Sequence, residues 1–101
     1  MHLIGIGELD LASVVHRFSE LHELRLWGRP GILTGMEILS ALPQLRRFST
    51  YDLFGFTGEQ FPGPDKLLQL EWLWMTSLPA ETAQSIKVRY KNRPQPVSIC
   101  T

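Results

Sequence analysis

Four stretches of the chain share one frame, apolar-x-x-apolar-x-apolar, and this frame restricts the fold more than any other feature. It is sharpest in Leu70-Glu71-Trp72-Leu73-Trp74-Met75 and in Leu21-His22-Glu23-Leu24-Arg25-Leu26. Met1-His2-Leu3-Ile4-Gly5-Ile6 also fits, and Leu45-Arg46-Arg47-Phe48-Ser49-Thr50 fits more loosely. The stretches begin at Met1, Leu21, Leu45 and Leu70, at nearly even intervals. Apolar residues alternating at period two read as strands. Self-similarity on this scale marks a repeat architecture, here one whose unit opens with a strand.

The segments between the strands supply the connections. Asp10 can cap a helix from Leu11 to Glu20 in which Leu11, Val14, Val15 and Phe18 share one apolar face. A strand, a helix and another strand within so short a span imply a parallel, right-handed crossover. Gly28-Arg29-Pro30-Gly31 reads as a turn, and Thr34-Gly35-Met36-Glu37 has capping-box spacing. The helix it would open points Ile38, Leu39 and Leu42 inward, and Pro43 ends it. The third strand, Leu45 to Tyr51, is the most polar, with Thr50 a weak occupant of an inward position.

The third connection is too rich in glycine and proline for a long helix, and reads as a loop with one helical turn near Pro64 to Leu68. Phe54, Phe56 and Phe61 take the place of a helical apolar face there. Pro79 suits the first turn of a last helix, with Ala83, Ile86 and Tyr90 on one face. Pro94 and Pro96 stop it, and Val97-Ser98-Ile99-Cys100 reads as a short edge strand.

The frame Leu-x-x-Leu-x-Leu, recurring at these intervals with a helix or loop between, resembles the leucine-rich repeat. Leu21-His22-Glu23-Leu24-Arg25-Leu26-Trp27-Gly28 and Leu42-Pro43-Gln44-Leu45 look especially like bacterial members. The resemblance covers about Met1 to Pro79, leaving 79–101 as a C-terminal cap. The chain departs from the family at the position usually held by asparagine or cysteine, which here is Leu9, Arg29, Leu53 and Leu78. The resemblance implies an α/β fold: a right-handed solenoid of about four parallel strands and a C-terminal helix, forming one domain over 1–101. It also implies a curved sheet whose outward strand residues form a binding surface, without specifying the partner.

Composition narrows the partners. Ten basic and ten acidic side chains cancel, so no global field holds a polyanion and nucleic acid is an unlikely partner. Cys100 is the single cysteine. An internal disulfide is therefore excluded, and with no signal-peptide pattern a reducing, cytoplasmic compartment is expected. No apolar run approaches the roughly 18 residues needed to cross a bilayer, so a soluble domain without membrane partners is expected.

Alternation along the strands sorts the outward residues into three rows. One holds Leu3, Glu23, Arg47 and Trp72; the next Gly5, Arg25, Ser49 and Trp74; the last Gly7, Trp27, Tyr51 and Thr76. Aromatics and arginine are the types that concentrate in protein-binding hot spots. Trp27, Tyr51, Trp72 and Trp74 are therefore the expected apolar anchors, with Glu23, Arg25 and Arg47 setting orientation by charge. Four strands span only about 15 Å, short of the roughly 800 Å² per partner of a standard interface. A chain that starts inside a strand also suggests a piece of a longer repeat assembly, or an oligomer subunit with an open edge.

Chemistry is poorly represented. Gly5-Ile6-Gly7 starts like a dinucleotide loop, but Asp10 stands where the third glycine belongs. His16 and His22 are too far apart to share a helical face, and no Cys/His pair has zinc spacing. Lys87, Arg89, Lys91 and Arg93 cluster near the last helix end, where a solvated run complements the helix dipole. The sequence thus points to a protein–protein interaction module without catalytic residues, metal or cofactor. The alternative is a structural fragment or homo-oligomer subunit with no ligand of its own.

Overall fold

The computed structural model of the chain describes residues 1–76, 78–91 and 98–100. Five strands, β1 (His2–Asp10), β2 (Glu23–Thr34), β3 (Arg47–Phe54), β4 (Trp72–Met75) and β5 (Ser98–Cys100), form one sheet in chain order. Every neighbouring pair is parallel. Parallel neighbours need crossovers, and those described are helix α1 (Leu11–Arg17), a 3-10 helix (Met36–Ala41), the loop 55–71 and helix α2 (Ala80–Tyr90). The expected α/β class, parallel sheet and C-terminal helix are present. Pro94, Pro96 and Val97 lie outside the described residues.

One core joins the sheet to its connections. Leu24, Leu26, Phe48, Leu73 and Met75 from the strands cluster with Leu11, Val14 and Val15 of α1, Met36 and Leu39 of the 3-10 helix, Phe61 of the loop and Ile86 of α2. These strand residues all lie on one side of the pleat, because side chains alternate. Among the described residues the other side of the sheet stays open. Parallel sheets are ordinarily covered on both faces, so this one-sided covering is the fold's main peculiarity.

Two tight turns with the same hydrogen bond deliver the chain into β3 and β4. Leu45 N–H donates to the Leu42 carbonyl and Leu70 N–H to the Leu67 carbonyl, both at 3.2 Å. All four leucines are buried. The next residue continues the ladder across the sheet: Arg46 N–H donates to the His22 carbonyl and Glu71 N–H to the Arg46 carbonyl.

Several sequence expectations need correction. Asp10 caps α1 through a bond from Ala12 N–H, but the helix ends at Arg17 and Phe18 is exposed rather than inward. Gly28 to Gly31 is not a turn, because β2 runs on through Thr34 with a register shift between Trp27 and Gly31. The glycines serve close backbone approach. A Cβ at Gly31 would strike the Ile6 carbonyl, and one at Gly28 the Asp52 carbonyl.

This extension consumes the expected capping box. Thr34 pairs with Asp10 in the sheet, so the helix starts instead from Gly35 at φ 74°, with no side-chain cap. The short segment left before β3 closes as a 3-10 helix. In the loop, Phe56 and Phe61 are buried as the missing apolar face, whereas Phe54 lies on β3 and is exposed.

Candidate functional site

The open face carries three of the expected rows, with one strand displaced. Glu23, Arg47 and Trp72 are register partners across β2, β3 and β4. Arg25, Ser49 and Trp74 form the next row, and Trp27 pairs with Tyr51 in the third. Strand β1 joins out of the expected register: His2 pairs with Arg25, Leu3 with Leu26 and Ile4 with Trp27. An odd shift turns the strand over. Leu3 is therefore on the core side, and His2 and Ile4 occupy the face in place of Leu3, Gly5 and Gly7. Met1, Leu3, Ile4 and Ile6 satisfy the apolar frame in two phases, which is why the sequence does not separate them.

Trp27 and Tyr51 stack with ring centroids 4.7 Å apart and planes at 21°, and His2 meets Trp27 edge-on at 5.9 Å. Trp72 and Trp74 form a second edge-on pair at 6.1 Å on β4. Trp27, Tyr51 and Trp74 are each a little over one-third exposed, Trp72 is half-buried, and Ile4 is 72% exposed. Ile32 and Phe54, register partners beyond the β2 bulge, add two more exposed apolar side chains that the sequence reading did not place on a surface.

The charged residues at the N-terminal ends of the strands form one connected ladder. Arg25 Nε lies 3.0 Å from Glu23 Oε1, and Arg47 Nη1 lies 3.9 Å from Glu23 Oε2. Arg47 Nε is 3.5 Å from Glu71 Oε1, and Arg46 Nη2 is 3.1 Å from Glu71 Oε2. The bond from Arg46 is the main reason the Glu71 carboxyl is held below its ordinary value; partial desolvation opposes it and Arg47 adds to it. Glu71 and Arg46 were not expected site residues. Their signal was present, since each stands immediately before a strand, one residue after the first leucine of its apolar frame.

All seven expected contact residues thus lie on one surface. Glu23, Arg25 and Arg47 are joined by ion pairs, Trp27 and Tyr51 by a stack, and Trp72 and Trp74 by an edge contact. Of the basic cluster near the end of α2, Arg89 is occupied internally, donating to the Gly58 and Phe61 carbonyls at 2.7 and 2.6 Å. Arg93 lies outside the described residues. Among the described residues no group of three or more His, Cys, Asp or Glu is placed to hold a metal ion, and no helix is long and apolar enough to cross a membrane.

No protein-family model matches the chain, and no curated protein or solved structure is significantly similar to it.

Proposed function

We propose that this chain is a leucine-rich-repeat-like solenoid domain that works as a protein–protein interaction module through the open face of its sheet. The observation that carries the reading is the one-sided sheet. Its covered side packs into the apolar core, and its uncovered side holds three tryptophans, a tyrosine and arginines, the types that dominate binding hot spots. The repeat reading is supported by the register, in which Glu23, Arg47 and Trp72 hold the same place in three successive frames. Glu71 is ion-paired with Arg46 and Arg47, an arrangement that suits salt-bridge recognition better than general-acid chemistry.

The test is quantitative comparison of the proteins captured by the wild-type chain and by Trp27→Ala/Tyr51→Ala, with folding followed by circular dichroism. The expected result is a folded variant that loses specific partners. A variant that retains the same partners removes the face from the interaction, and one that unfolds makes the two rings core.

A second reading, an oligomer subunit within a longer repeat assembly, rests on β1. Among the described residues its outer edge pairs with no strand, and its Ile4 is the most exposed large apolar side chain. Unpaired edges are templates for another chain. Solution mass by light scattering over a concentration series separates the readings, since a constant monomer mass removes the second.

A further inference from the structure

The middle row of the open face changes size abruptly. Arg25, Ser49 and Trp74 are register partners, and Ser49, the smallest of the three, is buried. On the same face a depression of about 380 Å³ is lined by Arg25, Arg47, Glu71 and Trp72. That volume is near the lower end of ligand-site sizes. It accommodates one side chain with its adjoining backbone.

The charges around the depression are unevenly matched. The ladder begins and ends with arginine: Arg25, Glu23, Arg47, Glu71 and Arg46, so three guanidiniums share two carboxylates. Arg47, at its centre, is 3.9 Å from one carboxylate and 3.5 Å from the other. Both separations exceed the roughly 2.7–2.9 Å of a charge-assisted hydrogen bond, so the planar fork keeps donors for a further acceptor. A carboxylate matches that fork with two parallel bonds. Trp72, in the same lining, offers an apolar wall to the methylenes of an acidic side chain.

The two acids discriminate between sources of anion. A nucleic-acid backbone repeats its negative charge at every residue and would meet Glu23 and Glu71 directly. A peptide carries N–H donors beside its carboxylate, and Glu71 can accept them. Resting on the reading of the open face as an interaction surface, we propose that this depression is a carboxylate-binding site. It takes an acidic side chain from an extended segment of a partner protein, with the carboxylate on Arg25 and Arg47 and a neighbouring backbone N–H on Glu71.

The test is an NMR titration of the full chain that follows the Trp72 indole N–H and the Arg25 and Arg47 Nε–H signals. The probes are acetyl-Ala-Glu-Leu-Glu-Ala-amide, its Gln-for-Glu twin, and hexauridylate. The expected result is saturable movement of these signals by the acidic peptide, weaker by about five-fold for the Gln twin and for Arg47→Gln. Arg47→Lys, which keeps the charge but loses the fork, should give an intermediate weakening. No movement at millimolar peptide, an equal response to the Gln twin, or tighter binding of hexauridylate would each overturn the proposal. If Trp27→Ala/Tyr51→Ala loses partners while the acidic peptide moves nothing, the interaction face stands and the carboxylate site falls.

Discussion

Trp27 on β2 and Tyr51 on β3 are register partners whose rings stack at 4.7 Å on the open side of the sheet. Each ring of the pair keeps a little over one-third of its residue's surface exposed. Aromatic pairs contribute about 0.5–1.5 kcal/mol beyond area burial. Tyr51→Ala is therefore expected to lower stability by about 1 kcal/mol, with the fold retained and a double-mutant coupling to Trp27→Ala of similar size. Urea unfolding of the four proteins measures it, and additive single losses would show that the stack contributes nothing.

The extended β2 strand makes Gly31 and Gly7 opposites. A side chain at Gly31 meets the Ile6 backbone, whereas a Cβ at Gly7 meets nothing within 4 Å. Gly31→Ala should destabilise by about 2 kcal/mol or more, and Gly7→Ala by less than about 0.5 kcal/mol. Equal effects at the two positions would mean that β1 and β2 do not approach as described.

Thr50 fills a core position on β3, 1% exposed, and its Oγ1 has no hydrogen-bond partner among the described residues. Removing an unsatisfied buried hydroxyl at nearly constant volume favours the fold. Thr50→Val is expected to raise stability by about 1 kcal/mol. A fall in the denaturation midpoint would contradict this account.

Arg89 ties α2 to the loop 55–71 through the Gly58 and Phe61 carbonyls, and Tyr90 Oη adds a bond to the Pro62 carbonyl at 2.7 Å. Charged donors contribute more than neutral ones, about 1.5–3 kcal/mol. Arg89→Gln should cost about 2 kcal/mol and raise amide hydrogen exchange in the loop ahead of the strands. Unchanged loop protection would show that the loop is held by its phenylalanines alone.

Glu71 supplies the pH dependence. Its folded carboxyl is held below the unfolded value, mainly by Arg46, so its contribution is present above the unfolded glutamate value of about 4.3. It is lost as pH falls through the folded value. The stability difference between wild type and Glu71→Gln should therefore shrink on acidification below about pH 4 and also shrink in high salt. A difference that grows on acidification would reverse the assigned sign.

The legible part of the fold was the part whose evidence is local and repeated. Leu24, Leu26, Phe48, Leu73 and Met75 follow the period-two frame, and their spacing places Glu23, Arg47 and Trp72 in one row. Strand β1 was misphased because its apolar residues satisfy two registers of opposite facing. Only the contact between Leu3 and the core removes that degeneracy. Gly28 to Gly31 carries turn composition, yet it lies in a strand because the neighbouring carbonyls of Ile6 and Asp52 leave space only for hydrogen at those two glycines.

By itself the sequence determined the α/β class, the parallel order of the central strands and the seven side chains on their outward face. Alternation and the spacing of the apolar frame are carried by residues close in the chain, so the sequence alone contains them. The tertiary structure alone decided the flip of β1, the length of β2 and the continuous ion ladder. Arg46 and Glu71 precede their strands and meet only when β3 and β4 lie side by side in the sheet. Such pairings depend on the register between strands, which no single strand contains.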